Sequence, residues 1–223
     1  MNYHWSFGFL WQYEHLFLLG AGVTLAFTIG TVLLGLIVGL VIGIARLSRN
    51  WMVSAPLIAV SEAFRCTPLL VQLIWIYYAL PVVLHISLNA ATAAVITLSM
   101  YGGVFYAEIF RGGIVSIERG QWDAARALGL SRWRMMRLVI LPQAVRRMIP
   151  PFMNQSITQL KNTSLVSVIA VPDVLYQGEL VTGNTYRPLE VYTLVAIIYF
   201  VLLFPSTMLM QLYERRLAAK NAS

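Results

Sequence analysis

The side chains best placed to do chemistry in this 223-residue chain are amides, hydroxyls and one ammonium, crowded into Phe152–Val171. Asn154, Gln155, Ser156, Thr158, Gln159, Lys161, Asn162, Thr163, Ser164 and Ser167 fall there among otherwise apolar residues. At the 3.6-residue period Asn154, Thr158, Lys161 and Leu165 share one helical face, with Gln155 and Asn162 beside them. Such groups exchange hydrogen bonds and do not break covalent ones. Two uses fit. The amides and hydroxyls could glue helices together, with Lys161 paired to a carboxylate such as Glu108. Alternatively they line the path of a polar solute, because there are more of them than helix adhesion requires. Lys161 itself fits structural pairing, since a free ammonium would hold an anion too tightly for release. Glu108 and Arg111 are three residues apart, which allows a local ion pair and equally a gate or counter-charge. The candidate path residues are Ser99, Glu108, Asn154, Thr158, Lys161 and Asn162.

No catalytic set is expected. His4, His15 and His85 are scattered and have no metal-ligand spacing, and no Ser–His–Asp or Cys–His constellation is present. A phosphate-binding loop ends in Gly-Lys followed by Ser or Thr, so that backbone and lysine cradle the phosphates. The two lysines, Lys161 and Lys220, do not follow glycine, so energy from ATP would have to come from a partner. Cys66 is the single cysteine, which excludes a disulfide within the chain and reads as a small buried residue.

The elements that must position these groups are membrane helices. Of the residues 59% are hydrophobic and 11% charged, with a mean hydropathy of +0.72; ordinary soluble domains carry about 25% charged residues. Five spans are expected, each near the ~20 apolar residues that cross the hydrocarbon as a helix. They run from about Leu18 to Ala45, Pro68 to Leu84, Ala90 to Phe110, Ala144 to Val171 and Val191 to Leu212. An apolar run-in from Met52 precedes the second and fits the interface. The fourth is polar and is expected to break at Pro150-Pro151. No Lys or Arg precedes Arg46, so a signal peptide is not expected and the first span is retained.

The net charge of +7 does not imply nucleic acid. Thirteen of the sixteen basic residues fall in three clusters: Arg46 and Arg49; Arg111 through Arg147; and Arg215, Arg216 and Lys220. Five spans put all three clusters on one side, the cytoplasmic one, with the N-terminus outside and the C-terminus inside. Gly35, Gly39 and Gly43 recur every four residues in the first span and predict a close helix–helix contact with an unidentified partner.

Between the third and fourth spans lies Asp123-Ala124-Ala125-Arg126-Ala127-Leu128-Gly129, followed by Val139-Ile140-Leu141-Pro142. Alanine and leucine favour a helix, Asp123 is expected in its first turn, and Gly129 is placed to end it in a left-handed cap. Ser131 can cap a second helix, and Pro142 is expected near its end or at a kink into the fourth span. Arg132, Arg134 and Arg137 would also suit a loop lying on anionic lipid. Small residues on a short helix suit insertion into a protein cleft.

This spacing resembles the Glu-Ala-Ala motif of ATP-binding-cassette importer permeases, with Asp123 where that motif has Glu and Val139 where it has Ile. Phe64–Gln72, Tyr106–Ile114, Leu160–Leu165, Pro172-Asp173 and Tyr186–Pro188 look like signatures of the polar amino-acid subgroup, the histidine, glutamine and glutamate type. The likeness covers roughly Gly20 to Arg216. It implies an all-α integral membrane protein, a single permease domain over residues 1–223 with five transmembrane helices and a coupling helix in a cytoplasmic loop of about 111–142. It implies ATPase docking through Asp123, Ala124, Ala125, Leu128 and Gly129, and it tips Glu108 toward the substrate path. The implied partners are ATP-binding-cassette ATPase subunits, which would hold the ATP and Mg, a second identical or homologous permease, an external substrate-binding protein, an amino acid and the lipid bilayer. The implied location is the bacterial inner membrane. The alternative from a different class is an ion-gradient-driven secondary transporter or channel subunit, with Glu108 as its protonatable group; it leaves the docking loop unexplained.

Overall fold

The structure is a computed structural model that describes residues 3–221 except 47 and 49, with side chains described as far as 215. Arg49 lies outside the described residues, and so do the side chains of Arg216 and Lys220. The described residues form helices and no strand. A 3-10 turn, Gly8–Tyr13, leads into α1 (Glu14–Arg46). Next come α2 (Trp51–Cys66), α3 (Leu69–Leu84), α4 (Ala90–Val115) and α5 (Arg119–Ala127). The chain ends with α6 (Arg132–Ile169), α7 (Val174–Thr185) and α8 (Pro188–Asn221).

The starts of these helices are written locally. Asn50, Asn89, Ser131 and Asp173 each accept a hydrogen bond from a backbone N–H in the first turn of α2, α4, α6 and α7, satisfying a donor that has no intrahelical partner. Among the described residues three helices are long and apolar enough to cross a membrane by themselves: α1 with its leading turn, α4 and α8. Two bent pairs raise the number to five if each counts as one span, α2 with α3 at 111° and α6 with α7 at 44°. The run-in from Met52 is therefore a separate helix, set across the second span. Cys66 sits at that elbow and is exposed, not buried as expected from its size.

The fourth span also departs from expectation. Pro150 and Pro151 lie inside an unbroken helical stretch, Leu141–Asn162. The carbonyls whose N–H donors they remove belong to Arg146 and Arg147, both exposed, so the helix is not forced apart there. The interruption falls at the other end. Ala170 has φ +59°, and α7 starts only after Asp173.

α1 and α4 form the closest pair. Gly35, Gly39 and Gly43 are all buried, and their partner is α4. A Cβ at Gly39 would stand 2.7 Å from Gly103 O and 2.9 Å from Ala107 N, both backbone atoms. Gly103 repays the approach by receiving Val38, whose Cγ1 would be 2.6 Å from a Cβ there. α6 is tied to both helices by Gln159, which is fully buried and donates to Leu98 O (2.8 Å) and Thr31 Oγ1 (3.1 Å). Leu69, Leu73, Ala93, Ala94, Leu98 and Val166 pack α3, α4 and α6 together, while Phe17, Val174, Val181 and Val191 join α1, α7 and α8. Opposite faces such as Ile29, Ile37, Phe200 and Val201 are exposed, as lipid-facing residues would be.

Gly39→Leu is expected to lower stability by about 3 kcal/mol or more, because an overpacked side chain meets backbone that cannot rotate away. Gly22 has open space around it, so Gly22→Leu is expected to be neutral. Thermal unfolding in detergent compares the two; equal melting temperatures would remove the glycine contact from its central place.

Candidate functional site

The α4–α6 contact leaves a cleft of about 350 Å³ lined by Phe105, Glu108 and Ile109 on one side and Pro151, Asn154, Gln155 and Thr158 on the other. Below it the helices touch closely: a Cβ on Gly113 would overlap Met148. Beside it, Tyr106 Oη lies 3.1 Å from Ser156 Oγ, and the Phe152 ring packs tilted at 5.6 Å from Tyr106 and edge-on at 4.9 Å from Phe110. Glu108 is thereby brought to Asn154 and Thr158, three of the six path residues read from the sequence. Gln155 joins them; its Nε2 is buried and has no hydrogen-bond partner among the described residues.

Ser99, Lys161 and Asn162 do not line this cleft. Ser99 Oγ and Asn162 Nδ2 are buried without a hydrogen-bond partner among the described residues. Lys161 is exposed and does not pair with Glu108. Glu108 is instead shared by two guanidiniums. Arg111 Nε donates to it at 2.9 Å, and Arg46 Nη1 at 3.3 Å. The local pair with Arg111 was legible from spacing; Arg46 was not. It arrives because Gly43, one turn earlier on α1, packs toward Ala107 O and so sets the last turn of α1 at the level of Glu108. Two guanidiniums against one carboxylate leave this rim positive. Arg65, near a bend, pairs with Glu62 at 2.8 Å.

The second candidate region is the loop between α4 and α6. α5 begins at Arg119, earlier than expected, so Asp123 lies mid-helix and pairs with Arg126 at 3.0 Å instead of occupying the first turn. Gly129 has φ +71°, the left-handed cap expected of it. Its N–H reaches Arg126 O at 2.9 Å, while Leu130 N–H reaches Ala125 O at 3.2 Å, which closes the helix end. Asp123, Ala124, Leu128 and Gly129 are exposed, Leu128 to 78%. Ala125 is not; it is 2% exposed and packs with Ile117, Met135, Ile140, Ala144 and Met148. The alanine pair thus has two faces, one toward solvent and one toward α6.

Pro142 neither ends nor breaks α6. A π-helical turn, Met136–Ile140, precedes it, and Leu141 N–H reaches back five residues to Met136 O. The proline enters where the register is already shifted, so its missing N–H is accommodated. Among the described residues no group of His, Cys, Asp or Glu could hold a metal.

Described residues that form only helices, with bent membrane-length helix pairs, a cleft carrying Glu108, Asn154 and Thr158 and an exposed capped helix, fit a membrane transport subunit. The family described as binding-protein-dependent transport system inner membrane component matches residues 14–219, and this chain belongs to it. It is 38% identical over 218 residues to the glutamine transport system permease protein GlnP of Escherichia coli (strain K12), covering 97% of this chain and 99% of that one. It is 34% identical over 199 residues to the probable amino-acid ABC transporter permease protein YckA of Bacillus subtilis (strain 168), covering 89% and 88%. The crystal structure of an amino acid ABC transporter with histidines contains a chain 36% identical to this one, with a TM-score of 0.91 over 96% of this chain and 100% of that chain. The chain is therefore the permease subunit of an ATP-driven importer, and the ion-gradient alternative falls.

Gly129→Val places a β-branched residue at φ +71°, a strain of about 1–3 kcal/mol. The expected outcome is weaker co-purification of the ATPase with the membrane fold retained, and Gly129→Asn, which tolerates that conformation, is expected to retain most of it. Normal assembly and transport by the valine variant would exclude ATPase docking on this segment.

Proposed function

We propose that this permease carries polar amino acids inward through the α4–α6 cleft, as one membrane domain spanning residues 1–223. It works beside a second permease chain, identical or homologous, in the bacterial inner membrane. ATPase subunits holding ATP and Mg dock on the exposed face of α5, around Asp123, Ala124, Leu128 and Gly129. Ala125 holds that face at its angle from behind. An external binding protein delivers the solute. The N-terminus lies outside and the C-terminus inside, because this orientation gathers the basic clusters on the cytoplasmic side.

The observation that carries the reading is the convergence of Glu108, Asn154, Gln155 and Thr158 on one cleft. Side-chain amides and hydroxyls both donate and accept, so they can meet either end of an amino acid as it passes. Glu108 does not offer a free counter-charge for the amine, since Arg46 and Arg111 already hold it. It serves as a latch on the rim. A passing carboxylate competes with it for the guanidiniums, and the ion pairs exchange instead of breaking outright. The similarity to the glutamine permease of E. coli along nearly the whole chain supports the substrate class. Ser99, Lys161 and Asn162 extend the polar path beyond the cleft, toward surfaces that a second permease would complete.

Uptake in proteoliposomes containing the whole complex tests the path. Asn154→Leu and Thr158→Val are expected to weaken apparent affinity by about three- to tenfold, the worth of one hydrogen bond, and unequally across a series of amino acids. Glu108→Gln is expected to lower maximal turnover. An equal loss for every solute, with affinity and preference unchanged, would reassign Asn154 and Thr158 to helix adhesion. Orientation is tested in a Cys66→Ser background. A cysteine replacing Asn184 is expected to react with an impermeant thiol reagent outside sealed cells, and one replacing Ser131 is not; equal labelling would overturn the five-span arrangement.

A further inference from the structure

α5 is nine residues long and hangs between two short connections, Ser116–Glu118 and Leu128–Ser131. Its apolar side rests on Met135, Ile140, Ala144 and Met148. Apolar contact resists separation but is non-directional, so it does not by itself fix the helix against sliding or turning. Two polar side chains of α6 supply direction. Gln143 Nε2 donates to Gln121 Oε1 of α5 at 3.1 Å and to Val139 O at 2.9 Å. The second bond pins the amide to its own helix, at the π-helical turn, so that the first holds α5 in a set position. Arg147, one turn further on, donates to Ser116 O and lies 3.8 Å from Glu118, in the connection that leads into the same end of α5.

We propose that Gln143 and Arg147 are positioning residues for coupling: they fasten the ATPase-docking helix to the rod that carries the substrate cleft. Gln143, Arg147, Asn154 and Thr158 follow at intervals of four, seven and four residues, which keeps them on one stripe of α6. The stretch between them has no break, including at Pro150-Pro151. At 1.5 Å per residue it spans roughly 22 Å. A displacement imposed on α5 therefore reaches Asn154 and Thr158 as movement of one helix. Without the fasteners α5 can yield on its apolar cushion, and hydrolysis proceeds while the cleft stays behind. This inference rests on the docking role proposed for α5.

The test uses the complete complex in proteoliposomes with its binding protein, measuring basal ATPase, substrate-stimulated ATPase and uptake. ATP-dependent uptake by the unaltered complex, together with loss of ATPase association in Gly129→Val, secures the docking reading first. Gln143→Met and Gln121→Met each remove the bond that joins the two helices while preserving size. Each is expected to leave assembly and basal hydrolysis in place and to lower solute moved per ATP by about three- to tenfold, the range of one hydrogen bond. The double variant is expected to be no worse than either single one, because the same bond is lost. Gln121→Glu retains an acceptor for the Gln143 amide and is expected to retain the normal ratio. Should Gln143→Met fail to assemble, Gln121→Met reports the same bond from an exposed position. An unchanged ratio in Gln121→Met, or losses that multiply in the double variant, would overturn the proposal.

Discussion

The backbone-to-backbone approach of α1 and α4 sets the position of everything else in this permease. Lipid tails are as apolar as leucine, so burying leucines between membrane helices supplies little drive. What remains is dispersion between closely fitted surfaces, and that requires small residues. Gly39 on α1 and Gly103 on α4 meet this requirement with almost no clearance, Gly35 fits tightly against the Tyr106 ring, and Gly43 lies at ordinary contact distance from Ala107. Once α1 lies that close, Thr31 and Leu98 O stand near enough for Gln159 to hydrogen-bond both. The amide then locks α6 against the pair. Its amide nitrogen, costly if left unpaired in hydrocarbon, is made structural by having partners on two helices, while its Oε1 is buried without a hydrogen-bond partner among the described residues.

The same contact determines the electrostatics of the cleft. Because Gly43 sits against Ala107, the last turn of α1 delivers Arg46 to Glu108. Glu108 accordingly faces the cleft as a shared carboxylate between two guanidiniums. A charge so compensated is tolerable at the edge of a membrane, where an isolated carboxylate would be costly. It is also exchangeable, since another carboxylate can take its place on the same donors. Lys161 is left outside this cluster and is exposed.

On the proposed reading of α5 as the ATPase-docking helix, the connection from energy source to cleft is short. α5 is pressed on α6 by Ala125 and Ile117 and held in direction by Gln143 and Arg147. α6 then runs on without a break past its prolines to Asn154 and Thr158. The π-helical turn before Pro142 and the exposed residues Arg146 and Arg147, four positions before Pro150 and Pro151, are consistent with a helix that stays continuous through three prolines.

Much of this was written in the sequence. Hydropathy and clustered Arg and Lys gave membrane-length helices and an orientation to test, because bilayer thickness and charge act on local stretches of chain. Gly129 and Ser131 announced the end of one helix and the start of the next, since caps depend on a few neighbouring residues. The glycine register on α1, the Glu108–Arg111 pair and the polar face of α6 were likewise legible from periodicity. The rest depended on which helices meet. Only the tertiary structure made α4 the partner of α1, brought Arg46 to Glu108, left Lys161 exposed and turned Ala125 inward. Only it placed the bend of the fourth span after Ile169. Proline reads locally as a breaker, but whether a helix breaks there depends on what takes the orphaned carbonyl, and that is decided by surroundings the linear sequence does not contain.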